Sequence, residues 1–281
     1  MQDQADNLRQ LLQGAAPAHS ARAAGPPMIV VTGGRAGVGT TTVAVNLGAV
    51  LADRNQRVLL VDGAAARGNM AEIAGVNGSE VERTLSDVLA GRCAVAEALV
   101  PGPAGTMLLA NRGSRRSGAE FSRRDQQVLF AELQSLRSDF DLLVVDLGSG
   151  LTAWTRRFWL QAQLALLVTT AHSAALMDSY ATIKRSVADD IGTDVRLIVN
   201  QCEDDRVAGE AHRRFSNASG RFLGRSVPAV PSLPQCADDD GMHPRPRVWE
   251  RPNTPFGHAM LWLGRAVGDV LSTNSSELVA C

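Results

Sequence analysis

The chain has 281 residues, of which 45% are hydrophobic, enough for one large α/β domain or two small ones. Its formal net charge of −1 gives no global basic field for nucleic acid, and no apolar run reaches the ~18 residues that a membrane helix needs. The four cysteines (Cys93, Cys202, Cys236, Cys281) form neither a CxxC pair nor a metal-ligand spacing, which fits a reducing, cytoplasmic setting.

In chain order, the opening MQDQADNLRQ is polar and acidic, without the apolar stretch of a signal peptide. Asp3 can cap a helix from Gln4 to about Gln13, with Ala5, Leu8, Leu11 and Leu12 on one face. Residues 14–27, GAAPAHSARAAGPP, read as a flexible linker that tethers this helix to the main domain. MIVVT (28–32) is then a continuous apolar run of the kind buried in a parallel sheet. A glycine-rich loop and an amphipathic helix from Thr41 to about Arg54 come next. Further strands are RVLLVD (57–62), TMLLA (106–110), FDLLVVD (140–146), LALLVTT (164–170), VRLIVN (195–200) and a last short one, SVPAVP (226–231). Helices lie between them: short ones around 84–100, one capped by Ser122 and running to Ser138, and a closing helix over 254–271 before a polar tail, 272–281.

Strand–helix alternation of this kind predicts an α/β fold, a mostly parallel sheet with helices on both faces. Ligands in such folds sit at the carboxyl ends of the strands, where the loops after Thr32, Asp62, Asp146, Thr170 and Asn200 converge.

The loop after the first strand has the glycine frame of a phosphate-binding loop, GxxxxGK[ST]: Gly34, Arg35, Ala36, Gly37, Val38, Gly39. Thr40 stands where the pattern places lysine, Thr41 at the hydroxyl that would ligate magnesium, and Thr42 comes after it. Backbone N–H groups and the helix N-terminus can still cradle an anion. The missing charge-assisted hydrogen bond is worth about 1.5–3 kcal/mol, or about one to two decades of nucleotide affinity. Catalysis should lose more, because that cation also stabilises charge in the transition state.

Four segments together resemble the MinD/ParA family of deviant Walker-A ATPases. GGRAGVGTTTVAVNLGAVLA is similar to the family's GKGGVGKTTxxxNLgxxLA, and RVLLVDGAAARGNMAEIAGV to its switch strand. FDLLVVDLGSGL is similar to its Walker-B strand, and LLVTTAHSAALMDSYATIK to its TTpE-type stretch. The resemblance covers residues 28–271 and implies a P-loop domain there. DQADNLR (Asp3 to Arg9), with LIVNQCEDDRVAGEAHRRFSNASGRFLG (197–224), resembles the FlhG branch, also called YlxH or FleN.

That resemblance implies a regulator of flagellar number and placement, found in the cytoplasm and recruited to the cell pole or flagellar base. Its N-terminal helix (Asp3, Gln4, Ala5, Leu8 and Arg9 here) would engage an FlhF-type GTPase, with flagellar switch proteins and a second copy of the chain as further partners. It implies ATP or ADP with Mg2+, the metal held at Thr41 and Asp146, and Asn200 near the base.

Three positions depart from the family. Arg35 replaces the signature lysine that reaches the partner subunit's nucleotide; with 27 arginines to the single Lys184, composition accounts for that change. Thr40 replaces the phosphate lysine. Ala64 replaces the second aspartate of the switch DxD, which helps organise the attacking water, leaving Asp62 and Asp146 as the acidic positions. Three losses together predict binding that is weakened or lost and little or no hydrolysis, a pseudo-ATPase. Two alternatives remain: an active MinD-like ATPase that dimerises with ATP, and a ParA-like partition or pilus-localisation protein.

The second alternative draws on arginine clusters at 112–116, 213–225 and 245–251, which read more simply as solvated loops. No basic amphipathic membrane anchor is expected after residue 271.

Overall fold

Strands that are apolar throughout must be covered on both faces, and they are. The computed structural model describes residues 25–64, 68–111, 122–236 and 247–279, side chains being described as far as 273. The expected N-terminal helix and Arg112, Arg115, Arg116 and Arg245 lie outside the described residues.

The strands are β1 (Met28–Gly33), β2 (Val58–Asp62), β3 (Leu99–Pro101), β4 (Met107–Leu109), β5 (Leu142–Ser149), β6 (Leu164–Thr169) and β7 (Asp194–Val199). They form one sheet in the order β3-β4-β2-β5-β1-β6-β7. Every pairing is parallel except β3 with β4. The helices are α1 (Thr40–Asp53), α2 (Met70–Ala74), α3 (Leu85–Leu89), α4 (Arg123–Ser135), α5 (Ala153–Gln161), α6 (Ser173–Ala188), α7 (Asp205–Leu223) and α8 (Pro255–Val279).

Alternate residues of each strand feed two cores. Val30, Leu59, Val61, Leu143, Val145 and Leu167 face α3 to α7, around Phe130, Trp154, Phe158 and Trp159. Ile29, Val31, Leu60, Val144, Leu166 and Val168 face α1, α2 and α8, around Leu47, Met70, Met260 and Leu263. Phe130, Phe158 and Trp154 make an aromatic run with ring centroids 4.7 and 4.9 Å apart.

The expected cap at Ser122 holds. Ser122 caps α4 by accepting a hydrogen bond from the Asp125 N–H, with Asp125 reaching back to the Ser122 N–H.

Several expectations do not hold. SVPAVP pairs with β7 only through an isolated bridge, Leu197 to Ala229, so it extends no ladder; Pro228 and Pro231 remove the N–H groups a strand there would donate. The antiparallel edge strand β3 has no counterpart among the expected elements, being three residues long and only partly buried. Helix α8 does not stop at Leu271 but runs on to Val279, through a segment without glycine or proline to end it. The last linker residues are docked rather than free: Arg137 donates 2.7 Å to the Gly25 carbonyl, and Pro26 is buried.

Replacing Phe158 by alanine removes the centre of the aromatic run, a fully buried ring. The expected cost is about 3–5 kcal/mol of unfolding free energy, read as a lower urea midpoint at unchanged slope.

Candidate functional site

The carboxyl edges of β1, β2, β5 and β7 gather the candidate residues. The loop after β1 turns through Gly37 (φ 87°) and Gly39 (φ 91°), left-handed conformations that favour glycine, and Gly39 opens α1. No side chain caps α1 and no acidic residue lies in its first turn, so its leading N–H groups are not taken up by a cap. Gly34 lies against α6 so closely that an added Cβ would run into the backbone nitrogen of Ser179.

Two residues at the end of β7 hold this loop. Asn200 donates from Nδ2 to the Val38 carbonyl at 2.8 Å, and Gln201 from Nε2 to the Gly37 carbonyl at 3.2 Å. Gln201 sits at φ 56°, an uncommon conformation for a side-chain-bearing residue. The Asn200 amide thus braces the phosphate loop from within the cleft wall. Behind the loop, Asn46 is fully buried. It donates to the Thr42 carbonyl and accepts from the Val248 N–H at 2.7 Å. Arg247, next in the chain to Val248, donates to the Ile73 and Glu72 carbonyls and so anchors the end of α2. Sequence reasoning missed this brace; a buried asparagine one turn after Thr42 in an otherwise apolar helix was the available signal.

The cleft beside the loop has a volume of about 490 Å3, within the range of small-ligand sites. Thr40, Thr41, Thr42, Asn200, Gln201, Cys236 and Phe256 are among its walls, and no described lining residue is charged. Arg35 turns away from it: its Nε lies 3.5 Å from Asp178 Oδ2 on α6, both side chains about half exposed.

Asp62 and Asp146 face each other in register on β2 and β5, each 1% exposed. Burial and the neighbouring Asp146 charge push the Asp62 carboxyl up to about 7, against the opposing pull of nearby backbone N–H groups. Met70 donates to its Oδ2 at 3.2 Å, while Oδ1 accepts no hydrogen bond among the described residues. Burial raises Asp146 as well, opposed by the Thr41 hydroxyl and by the Gly148 N–H at 2.9 Å. The Thr41 hydroxyl and Asp146 carboxylate therefore meet, oxygen ligands of the hard type that Mg2+ takes. That corner fits a divalent cation, while Thr40 brings no charge to the loop.

Ala64 comes after β2, its carbonyl accepting from Asn111 Nδ2 at 3.1 Å, and offers no carboxylate. The Gly63 carbonyl accepts from Trp154 Nε1 at 2.8 Å, fixing the strand end after Asp62.

The arginine clusters divide. Arg213, Arg214 and Arg221 are exposed on α7. Arg225 is spent on the Ile191 and Thr193 carbonyls, and Arg247 on α2.

Asp62 gains a raised pKa on folding, so the folded state holds its proton longer. Stability linked to this group is present below about pH 4 and is lost as pH rises to about 7. Asp62→Asn keeps the Met70 bond and removes that slope, so the variant should exceed the parent by about 2–4 kcal/mol at pH 8 and by little at pH 4 in urea melts. Asn200→Ala leaves the Val38 carbonyl without its donor and should cost about 1–3 kcal/mol by the same measurement.

Comparison with known proteins agrees with this geometry. A family model described as an AAA domain matches residues 27–188. Antiactivator FleN of Pseudomonas aeruginosa is 30% identical over 74% of this chain and 73% of its own length. Septum site-determining protein MinD of Synechocystis is 33% identical over 64% of this chain and 66% of its own. Among solved structures, MinD in the MinC:MinD complex of Aquifex aeolicus superposes with a TM-score of 0.71 at 23% identity, covering 86% of this chain and 96% of that one. Pyrococcus horikoshii MinD complexed with Mg-ADP gives 0.67 at 21% identity, covering 89% and 98%. These last two establish the fold, a P-loop α/β domain. The domain model over residues 27–188 and the 30% identity to FleN, with the motifs of the phosphate loop and the two aspartate strands, place the chain in the MinD/ParA family of AAA-domain proteins, in the branch of FleN.

Proposed function

We propose that this protein is an FlhG-like regulator of flagellar number and placement that works through contacts, with ATP hydrolysis weak or absent. The observation that carries the second half is Thr40, at a cleft whose described walls hold no charged side chain. A phosphoryl-transfer site works by placing positive charge on the transferring group, and here the loop supplies only backbone dipoles. Arg35, the nearest cation on the loop, is paired with Asp178.

The first half rests on the similarity to antiactivator FleN and on DQADNLR, which matches the segment by which FlhG proteins engage an FlhF-type GTPase. In this reading Asp3, Gln4, Ala5, Leu8 and Arg9 form the partner-binding face, and 14–24 is the tether. Flagellar switch proteins and a second copy of the chain are further partners, and recruitment to the pole or flagellar base results from them.

One observation favours an active ATPase instead: the Thr41–Asp146 corner that would hold Mg2+ is intact. A ParA-like role has the exposed arginines of α7 in its favour and would show salt-dependent DNA binding.

Pull-down of the matching FlhF-type GTPase should succeed with the full chain and fail when residues 1–12 are removed. Equal capture by both would contradict the proposed contact. Phosphate release from ATP should stay at the level of the Asp146→Ala variant; release well above that control would favour the active ATPase.

A further inference from the structure

We infer that the cleft takes a nucleoside diphosphate in preference to the triphosphate. This rests on reading the cleft as the nucleotide site of its family, and it names the ligand that site selects.

In a phosphate loop the work is divided. Backbone N–H groups cradle the α- and β-phosphates, the lysine reaches the β- and γ-phosphates and is the side-chain cation for the γ-phosphate, and the hydroxyl after it serves the metal. This protein keeps the first part. Gly37 and Gly39 hold their left-handed turns, the uncapped start of α1 faces the cleft through Thr40, Thr41 and Thr42, and Asn200 and Gln201 pin the loop carbonyls from the cleft wall. The metal corner is also kept, the Thr41 hydroxyl meeting Asp146. Only the outer-phosphate part is missing, because Thr40 carries no charge.

The surroundings do not replace it. No described residue of the cleft wall is charged, and Arg35 is turned to Asp178. Among the described residues the carboxyls of Asp62 and Asp146 lie in register at this sheet edge, and Asp62 Oδ1 accepts no hydrogen bond there. A triphosphate brings one more negative charge than a diphosphate to this site and finds no cationic side chain for it among the described lining residues. A diphosphate keeps the backbone and helix-terminus contacts and avoids that charge. The balance of contacts and charge therefore favours the shorter chain.

The test is calorimetric titration of the full chain with ADP and with a non-hydrolysable ATP analogue, each with Mg2+ and again with EDTA. The diphosphate should bind more tightly than the analogue. Thr40→Lys should tighten the analogue about tenfold or more beyond any gain for ADP, the size of one charge-assisted hydrogen bond. Because a lysine at the head of α1 can disturb folding, the unmodified protein gives a second reading: at equal concentration ADP should raise the melting temperature more than the analogue does.

Binding of the analogue as tightly as ADP or more tightly by the unmodified chain, or equal tightening of both by Thr40→Lys, would overturn the inference. So would the absence of ADP binding at millimolar concentration. None of these results touches the N-terminal contact, which the truncation pull-down decides separately.

Discussion

Asp62 and Asp146 end neighbouring parallel strands in register, so two carboxylates share one buried corner at the carboxyl edge of the sheet. Like charges this close cannot both ionise without a cation or a dense set of donors. The donors present are backbone N–H groups and the Thr41 hydroxyl. The parallel sheet fixes the register, the register fixes the corner, and the corner sets what the adjoining loop can hold. A divalent cation at Thr41 and Asp146 would relieve the corner; a phosphate without one would add to it.

The loop itself survives by being braced rather than by being charged. Asn200 and Gln201 hold its carbonyls, Asn46 ties Thr42 to Val248, and Arg247 ties the same segment to α2, whose first N–H reaches Asp62. The phosphate loop and the switch aspartate are thereby linked through a segment some 200 residues away in sequence. This explains how the shape of a nucleotide site can persist after its lysine has gone: that shape is held by amide and backbone hydrogen bonds, which Thr40 does not enter.

Much of this was legible in the sequence. Six of the seven strands announce themselves as short apolar runs because both faces are covered, and the glycines at 37 and 39 mark the loop because only such turns require them. The departure at Thr40 is visible by spacing, and those at Arg35 and Ala64 by the resemblance to the family's motifs. What stayed hidden depends on contacts between distant segments. Nothing local says that Asn200 spends its amide on Val38, that Arg35 finds Asp178, or that Arg225 and Arg247, which read as parts of solvated loops, donate to backbone carbonyls. The edge strand at Leu99–Pro101 is too short for a pattern, and the run of α8 to Val279 is a matter of no residue stopping it.

In the proposed reading, the site keeps its family's grip on the inner phosphates and has lost the grip on the outer one. The decisive measurement incubates the purified chain with equal amounts of ATP and ADP plus Mg2+, separates the protein rapidly, and identifies the retained nucleotide by chromatography over hours. The expected result is ADP on the protein and unchanged ATP in solution. Retained ATP, or steady conversion of ATP to ADP above a protein-free control, would contradict the loss of the outer-phosphate grip.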